Sequence, residues 1–207
     1  MNQLRTIFFI FGALLSVQSS AQVNSWVLNF GSIAQDRATA ITQDFNGDII
    51  TAGLVTDAAS FTWRGINYNM YPWRGDCFIA KQTAGGQLVW LRHIGGNGSI
   101  QVKAVATDAQ NNFYITGLFS DTADFNPTSN NFDLISTDPQ GDIFVAKYDN
   151  WGNFIWAKGI GGAGVDYASS ILIGRDSNVF IAGSFQGSVD FDPGVGVQQI
   201  GGNGLQD

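Results

Sequence analysis

The 207-residue chain contains no glutamate: all 17 of its acidic side chains are Asp. Helices favour Glu and turns favour Asp, so this bias points toward many short strands joined by tight turns. A single cysteine, Cys77, excludes an internal disulfide framework, and stability has to come from packing. With one histidine, His93, a nucleophile–His–Asp triad has only one place to be. Ten Lys and Arg against 17 Asp leave a net charge of -7 and no basic stripe, which argues against a nucleic-acid backbone or an anionic membrane as partner. No apolar run reaches the roughly 20 residues that a membrane-spanning helix needs.

What is present is enough apolar material, 44% of the residues, to bury the core of one domain of ordinary size. Residues 1–21 read as a signal peptide: Arg5, the apolar run Ile7 to Val17, then Ser19-Ser20-Ala21 at a peptidase site. The mature chain is expected to begin at Gln22 and to be secreted or displayed at the cell surface. No cysteine follows the apolar run, so a lipid anchor at that place is not supported.

Internal repetition carries most of the remaining information. Trp26, Trp90 and Trp156 stand 64 and 66 residues apart and open three similar stretches. Counted from Gly31, Gly95 and Gly161, the copies stay in register for thirty residues. Ten residues on stand Ile41, Val105 and Ile171; twenty-two on, Gly53, Gly117 and Gly183; thirty on, Phe61, Phe125 and Phe191. The repeats span approximately 22–86, 87–152 and 153–207. In the second, four strand candidates, 87–94, 102–108, 112–119 and 142–148, are separated by turn chemistry such as Gly95-Gly96-Asn97-Gly98 and Asp149-Asn150-Trp151-Gly152-Asn153. Ile143-Phe144-Val145-Ala146 is continuously apolar, as a strand is when both faces of its sheet are covered. Four antiparallel strands per unit of about 65 residues, buried on both faces, describe the blades of a β-propeller, since solenoid repeats are much shorter. The expected fold is all-β: a partial β-propeller of about three four-stranded antiparallel blades, the third truncated, over residues 22–207.

The blocks Trp156-Ala157-Lys158-Gly159-Ile160-Gly161-Gly162, Asn178-Val179-Phe180-Ile181-Ala182-Gly183-Ser184-Phe185, Asp190-Phe191-Asp192-Pro193-Gly194 and Gly141-Asp142-Ile143-Phe144-Val145-Ala146-Lys147-Tyr148-Asp149 resemble the SBBP-type β-propeller repeat of secreted bacterial proteins. The resemblance runs from Trp26 to the end and implies a long secreted or surface protein, often with further domains after the propeller. The first copy departs most, with Ala59-Ser60-Phe61-Thr62-Trp63 where the third has Val189-Asp190-Phe191-Asp192-Pro193. Closed propellers need 4 to 8 blades, and the chain from Trp26 on holds about 2.8 repeats of this length. Asp207 lies 46 residues after Gly161, close to where Asp76 and Asp142 open the apolar strand in the other copies. The chain is therefore expected to be the N-terminal piece of a longer protein whose remaining blades follow.

Candidate chemistry is sparse. Gly159-Ile160-Gly161-Gly162-Ala163-Gly164 matches a dinucleotide-binding glycine pattern by letter, but that pattern needs a following helix, and here a strand follows. Asp44, Asn46 and Asp48 place oxygen ligands at alternate positions around Gly47, which makes calcium the one cofactor to consider. The equivalent slots, 108–112 and 174–178, lose acidic groups, and no Glu closes any of them, so an Asx-type hairpin turn is the favoured reading. In Asp124-Phe125-Asn126-Pro127 and Asp190-Phe191-Asp192-Pro193 the Phe is expected to insert between blades while Pro and Asp shape the loop. No acid pair for glycoside hydrolysis can be picked out, and Cys77, in the slot of Ile143, reads as a small buried hydrophobe.

These features favour a non-catalytic binding scaffold over an enzyme. The alternative is a fragment of an extracellular propeller hydrolase, glycan-active for example, with its catalytic residues on other blades. Recurring tryptophans serve blade packing, so the non-recurring aromatics are the better candidates for contact with a protein or glycan partner. They are Trp63, Tyr68, Tyr71 and Trp73 in the long first-repeat insertion, and Trp151.

Overall fold

The computed structural model describes residues 5–10, 13–18, 27–29, 34–63, 66–72 and 75–202. Among them there is no helix. Strands β1 (Arg5–Ile10), β2 (Ala13–Gln18) and β3 (Val27–Asn29) form a small antiparallel sheet at the start of the chain. Trp26 and Trp73 lie outside the described residues.

The repeats build sheets in one pattern. The first contains β4 (Arg37–Gln43) and β5 (Ile49–Val55). A separate hairpin of β6 (Ala59–Trp63) and β7 (Ile66–Met70) follows. The sheet then continues with β8 (Asp76–Gln82) and β9 (Leu88–Gly96). The second sheet contains β10 (Ile100–Thr107), β11 (Phe113–Phe119), β14 (Asp142–Tyr148) and β15 (Phe154–Gly162). Its hairpin, β12 (Thr122–Asp124) and β13 (Asp133–Ile135), adds to the outer edge of the first sheet, pairing Ala123 and Asp124 with Gly96 and Gly95. The third unit repeats this. Strands β16 (Tyr167–Ile173) and β17 (Val179–Ser184) pair, and the hairpin of β18 (Ser188–Asp190) and β19 (Gln199–Gly201) docks on Gly161 and Gly162 of β15. All pairings are antiparallel, and the fold is the expected partial β-propeller, with β10 lying against β4 and β5 and β16 against β10 and β11.

The partition into sheets is offset by one strand from the sequence repeat. The strand carrying the repeat Trp belongs to the preceding sheet, lying between its third strand and the added hairpin: β9 pairs with β8, and β15 with β14. The tight turns at 83–87 and 149–153 make their flanking strands neighbours, whereas 97–99 carries the chain across to the next sheet. A repeat in sequence has no starting point of its own, and hydrogen bonding supplies one.

Burial follows the apolar pattern. β14 is buried along nearly its whole length, as the unbroken apolar run requires. One core fills the space between the first two sheets: Ile50, Ala52, Cys77, Ile79, Trp90 and Ile94 meet Phe113, Ile115, Phe125, Phe144, Ala146 and Tyr148. Phe125 inserts there as expected, against Phe119 and Phe144. Asp124 Oδ1 shapes its loop by accepting the N–H groups of Asn126 and Phe132 at 2.9 and 2.8 Å, and Asp190 Oδ1 does the same for Asp192 and Gln198 at 3.0 and 2.7 Å.

The recurring Gly53, Gly117 and Gly183 answer a second repeated feature. Each innermost strand carries a bulge, at 38–40, 102–104 and 168–170, which drives a carbonyl onto the neighbouring glycine. A Cβ at those glycines would lie 1.9, 2.0 and 2.2 Å from the oxygens of Arg37, Gln101 and Tyr167.

Candidate functional site

The antiparallel topology gathers the turns 44–48, 83–87, 108–112, 149–153 and 174–178 at one end of the sheets. The fourth residue of each turn has positive φ: 85° at Gly47, 79° at Gly86, 63° at Asn111, 77° at Gly152 and 65° at Ser177. An Asp opens three of them and holds them by its own carboxylate. Asp44 Oδ1 accepts the N–H of Asn46 and of Asp48, both at 2.9 Å; Asp108 Oδ1 accepts those of Gln110 and Asn112 at 3.0 and 2.9 Å; Asp149 Oδ1 accepts those of Trp151 and Asn153 at 2.9 and 2.8 Å. These are the Asx turns expected from the sequence.

The positive charge facing the candidate calcium ligands is a lysine. Buried Lys81 places Nζ 2.6 Å from Asp44 Oδ2 and 3.3 Å from Asp48 Oδ2, and it donates to Asn150 Oδ1 of the second sheet. A calcium ion would have to displace that ammonium group, and Asn46 enters the turn through its backbone N–H. In the next sheet Lys147 Nζ lies 3.3 Å from Asp108 Oδ2 and 4.8 Å from the centre of the Tyr114 ring. Burial pushes the Asp108 carboxyl upward, but hydrogen bonds from Asn112, Tyr114 and Lys147 outweigh it and hold it below its ordinary value. Burial raises Tyr114, while Lys147 is raised because Tyr114 and Asp108 more than offset its desolvation.

The 149–153 turn is clamped by the first sheet. Trp90 Nε1 donates to the Asn150 carbonyl at 3.1 Å, Arg92 Nη2 to that of Trp151 at 2.8 Å and Arg92 Nε to that of Gly152 at 3.2 Å. The Arg92 guanidinium lies 5.4 Å from the Trp90 ring centre. With three successive carbonyls fixed, the Trp151 side chain projects into solvent, 67% exposed. On the 44–48 turn, tied to the same Lys81, Phe45 is 72% exposed and donates its N–H to Asn111 Oδ1 across the sheets at 2.8 Å. Two rigidly backed aromatics thus stand out at one end of the molecule.

Of the sequence candidates, Trp151 belongs to this end. Trp63 and Tyr68 lie on the β6–β7 hairpin and Tyr71, 74% exposed, follows it, at the opposite end. Trp151 and Tyr71, both exposed, therefore stand at opposite ends and do not share a patch. Phe45 was hidden inside the calcium-like pentapeptide, although it is a non-recurring aromatic by the same criterion as Trp151: its equivalents are Ala109 and Arg175.

The opposite end holds a cavity of about 510 Å³ lined by Ser99, Ser120, Asp121, Ser136 and Thr137 among others. Three of its hydroxyls are engaged within the fold: Ser120 Oγ accepts the N–H of Ser99, Ser136 Oγ that of Asp121, and Thr137 Oγ1 lies 2.9 Å from Asp142 Oδ2. Burial raises both Asp142 and Asp166, and neighbouring carboxylates add to the shift. His93 Nε2 lies 2.8 Å from buried Asp76 Oδ2. Cys77 is fully buried, and burial pushes its thiol far above the reactive range. Gly159 to Gly162 lie within β15, and among the described residues no helix follows them to receive a pyrophosphate. No cluster of three or more metal-ligating side chains occurs among the described residues.

No family model matches the chain. The chain is similar to an uncharacterized WD repeat-containing protein, L264, of Acanthamoeba polyphaga mimivirus, with 32% identity over 116 residues. That match takes in 49% of this chain and 8% of the viral protein. The likeness to a WD repeat protein and the all-β sheet architecture agree on a β-propeller-like repeat protein.

Proposed function

We propose that this chain is a secreted or surface-displayed scaffold of SBBP-type β-propeller repeats that binds a partner and performs no catalysis. The observation that carries the proposal is the turn end of the sheets, where Trp151 and Phe45 stand exposed on backbones locked by Lys81, Trp90, Arg92 and Asn111. Large aromatics on a rigid base lose little entropy on binding and dominate contact energetics. A protein partner fits this surface better than a glycan, because the turn carbonyls beside Trp151 are already committed to Trp90 and Arg92. The similarity to a WD repeat-containing protein supports the scaffold reading. Secretion rests on Arg5, the apolar run to Val17 and Ser19-Ser20-Ala21.

The test is a screen of the purified chain against extracellular proteins and a glycan array, repeated with Trp151→Ala and Phe45→Ala. Both variants should keep stability within about 0.5 kcal/mol, as exposed positions do. Each should weaken capture of the protein hit at least about tenfold, a loss of about 1.4 kcal/mol. Hits that bind both variants as tightly as the parent would rule out this surface.

A further inference from the structure

The cavity at the end opposite the turns is walled by segments that hold one another in place. Asn97 and Gly98 donate their N–H groups to the Thr122 carbonyl at 2.9 and 3.2 Å, Ser120 donates to the Ser99 carbonyl at 3.0 Å, and Ser136 to that of Asp121 at 2.9 Å. Its volume, about 510 Å³, lies in the range of small-molecule sites. The polar side chains that line it are not all spent on the fold. Among the described residues the Asn97 amide and the Ser99 hydroxyl have no hydrogen-bond partner, and the Asp121 carboxylate has only the Thr122 hydroxyl, at 3.4 Å. Ser120 Oγ accepts the Ser99 N–H and keeps its own proton to donate. Exposed Ile135 and Pro139 add an apolar wall. The third copy shows that the fold does not need this chemistry: counted from Gly95 and Gly161, the counterparts of Asn97, Ser99 and Asp121 are Ala163, Val165 and Gly187. The backbone there suits glycine, as Gly187 at φ 75° shows, yet Asp121 takes the same left-handed conformation at φ 56°.

We propose that this cavity binds one uncharged sugar ring, either a free monosaccharide or the terminal unit of a glycan chain. Asp121 accepts from neighbouring ring hydroxyls, the Asn97 amide both donates and accepts, Ser99 and Ser120 add hydroxyl contacts, and the C–H face of the ring lies on Ile135 and Pro139. Among the described residues the lining holds no Lys, Arg or His, so an anionic ligand would meet the Asp121 charge without compensation. The hydrogen bonds between the walls hold the site open in advance, which lowers the cost of binding. This site is independent of the aromatic surface at the other end.

The probes are the methyl glycosides of glucose, galactose, mannose and N-acetylglucosamine, titrated into the full chain and followed by saturation-transfer NMR. At least one should saturate, with a Kd on the order of 1 mM. Asn97→Ala combined with Ser99→Val installs the residues that the third copy carries; it should leave the unfolding curve in place and weaken binding at least about tenfold, the worth of two lost hydrogen bonds. Asp121→Gly, the Gly187 counterpart, is the second variant and should weaken binding by a similar factor. A disaccharide ending in the bound ring separates the two sources: equal or tighter binding marks a glycan terminus, and loss of binding a free monosaccharide. The proposal is overturned if no glycoside saturates by about 50 mM, if the folded variants bind as tightly as the parent, or if a glycoside carrying a carboxylate binds as well as its neutral counterpart.

Discussion

Replacing Lys81 by Met tests how the sheets are held together. The side chain is almost fully buried, and its ammonium group meets Asp44, Asp48 and Asn150. Met keeps the volume and removes the charge, leaving the Asp44 carboxylate, whose side chain has no solvent exposure, without its counter-charge. Removing one partner of a buried pair costs about 3–5 kcal/mol. Because Asp44 keeps two backbone donors, the low end, about 3 kcal/mol, is expected. For a chain of this length that corresponds to a fall in Tm of about 6–12 °C. The remedy is as informative as the damage. Adding Asp44→Asn neutralises the stranded charge while its amide oxygen still accepts the turn N–H groups, so the double variant should regain about 1–3 kcal/mol. Urea unfolding followed by tryptophan fluorescence reads both numbers. A loss below about 1 kcal/mol for Lys81→Met, or strict additivity in the double variant, would refute the view that this cluster ties the two sheets.

Gly117→Ala should lose about 2–3 kcal/mol or more in the same assay, because its Cβ would sit 2.0 Å from the Gln101 carbonyl and the bulge cannot retreat without breaking the register; a variant within 0.5 kcal/mol, roughly the surface norm, would contradict the tight approach. The raised Asp142 carboxyl, lifted by burial and by the Asp166 charge, favours the fold in its protonated form; that contribution is complete below the ordinary carboxylate value and lost as pH rises through the raised one. Asp142→Asn should therefore be more stable than the parent at pH 7, its advantage vanishing as pH falls below about 4. A constant difference across that range in pH-dependent unfolding would be the wrong result. Millimolar calcium should leave Tm unchanged, since Lys81 already faces Asp44 and Asp48; a calcium-dependent rise would show that the ion displaces the ammonium group.

Some of the molecule was legible residue by residue. The absence of Glu pointed to short strands and tight turns, the unbroken run Ile143 to Ala146 to a strand covered on both sides, and β14 is buried as that run requires. Recurrence at a fixed spacing marked Trp90 as a packing residue, and it lies in the core with its indole N–H bonded to the next sheet. The same reasoning placed Phe125 between the sheets. Recurrence could not show which side of each Trp the sheet boundary falls, or that Asp44 faces a lysine 37 residues away.

The sequence by itself determined the periodicity, the strand chemistry and the turns, because apolar spacing, Asx capping and positive φ are properties of a few neighbouring residues. The tertiary structure alone decided the strand that closes each sheet, the burial of Lys81 between two Asp turns and the separation of Trp151 from Tyr71. Those depend on hydrogen bonds and ion pairs between residues tens of positions apart, whose partners no local pattern encodes.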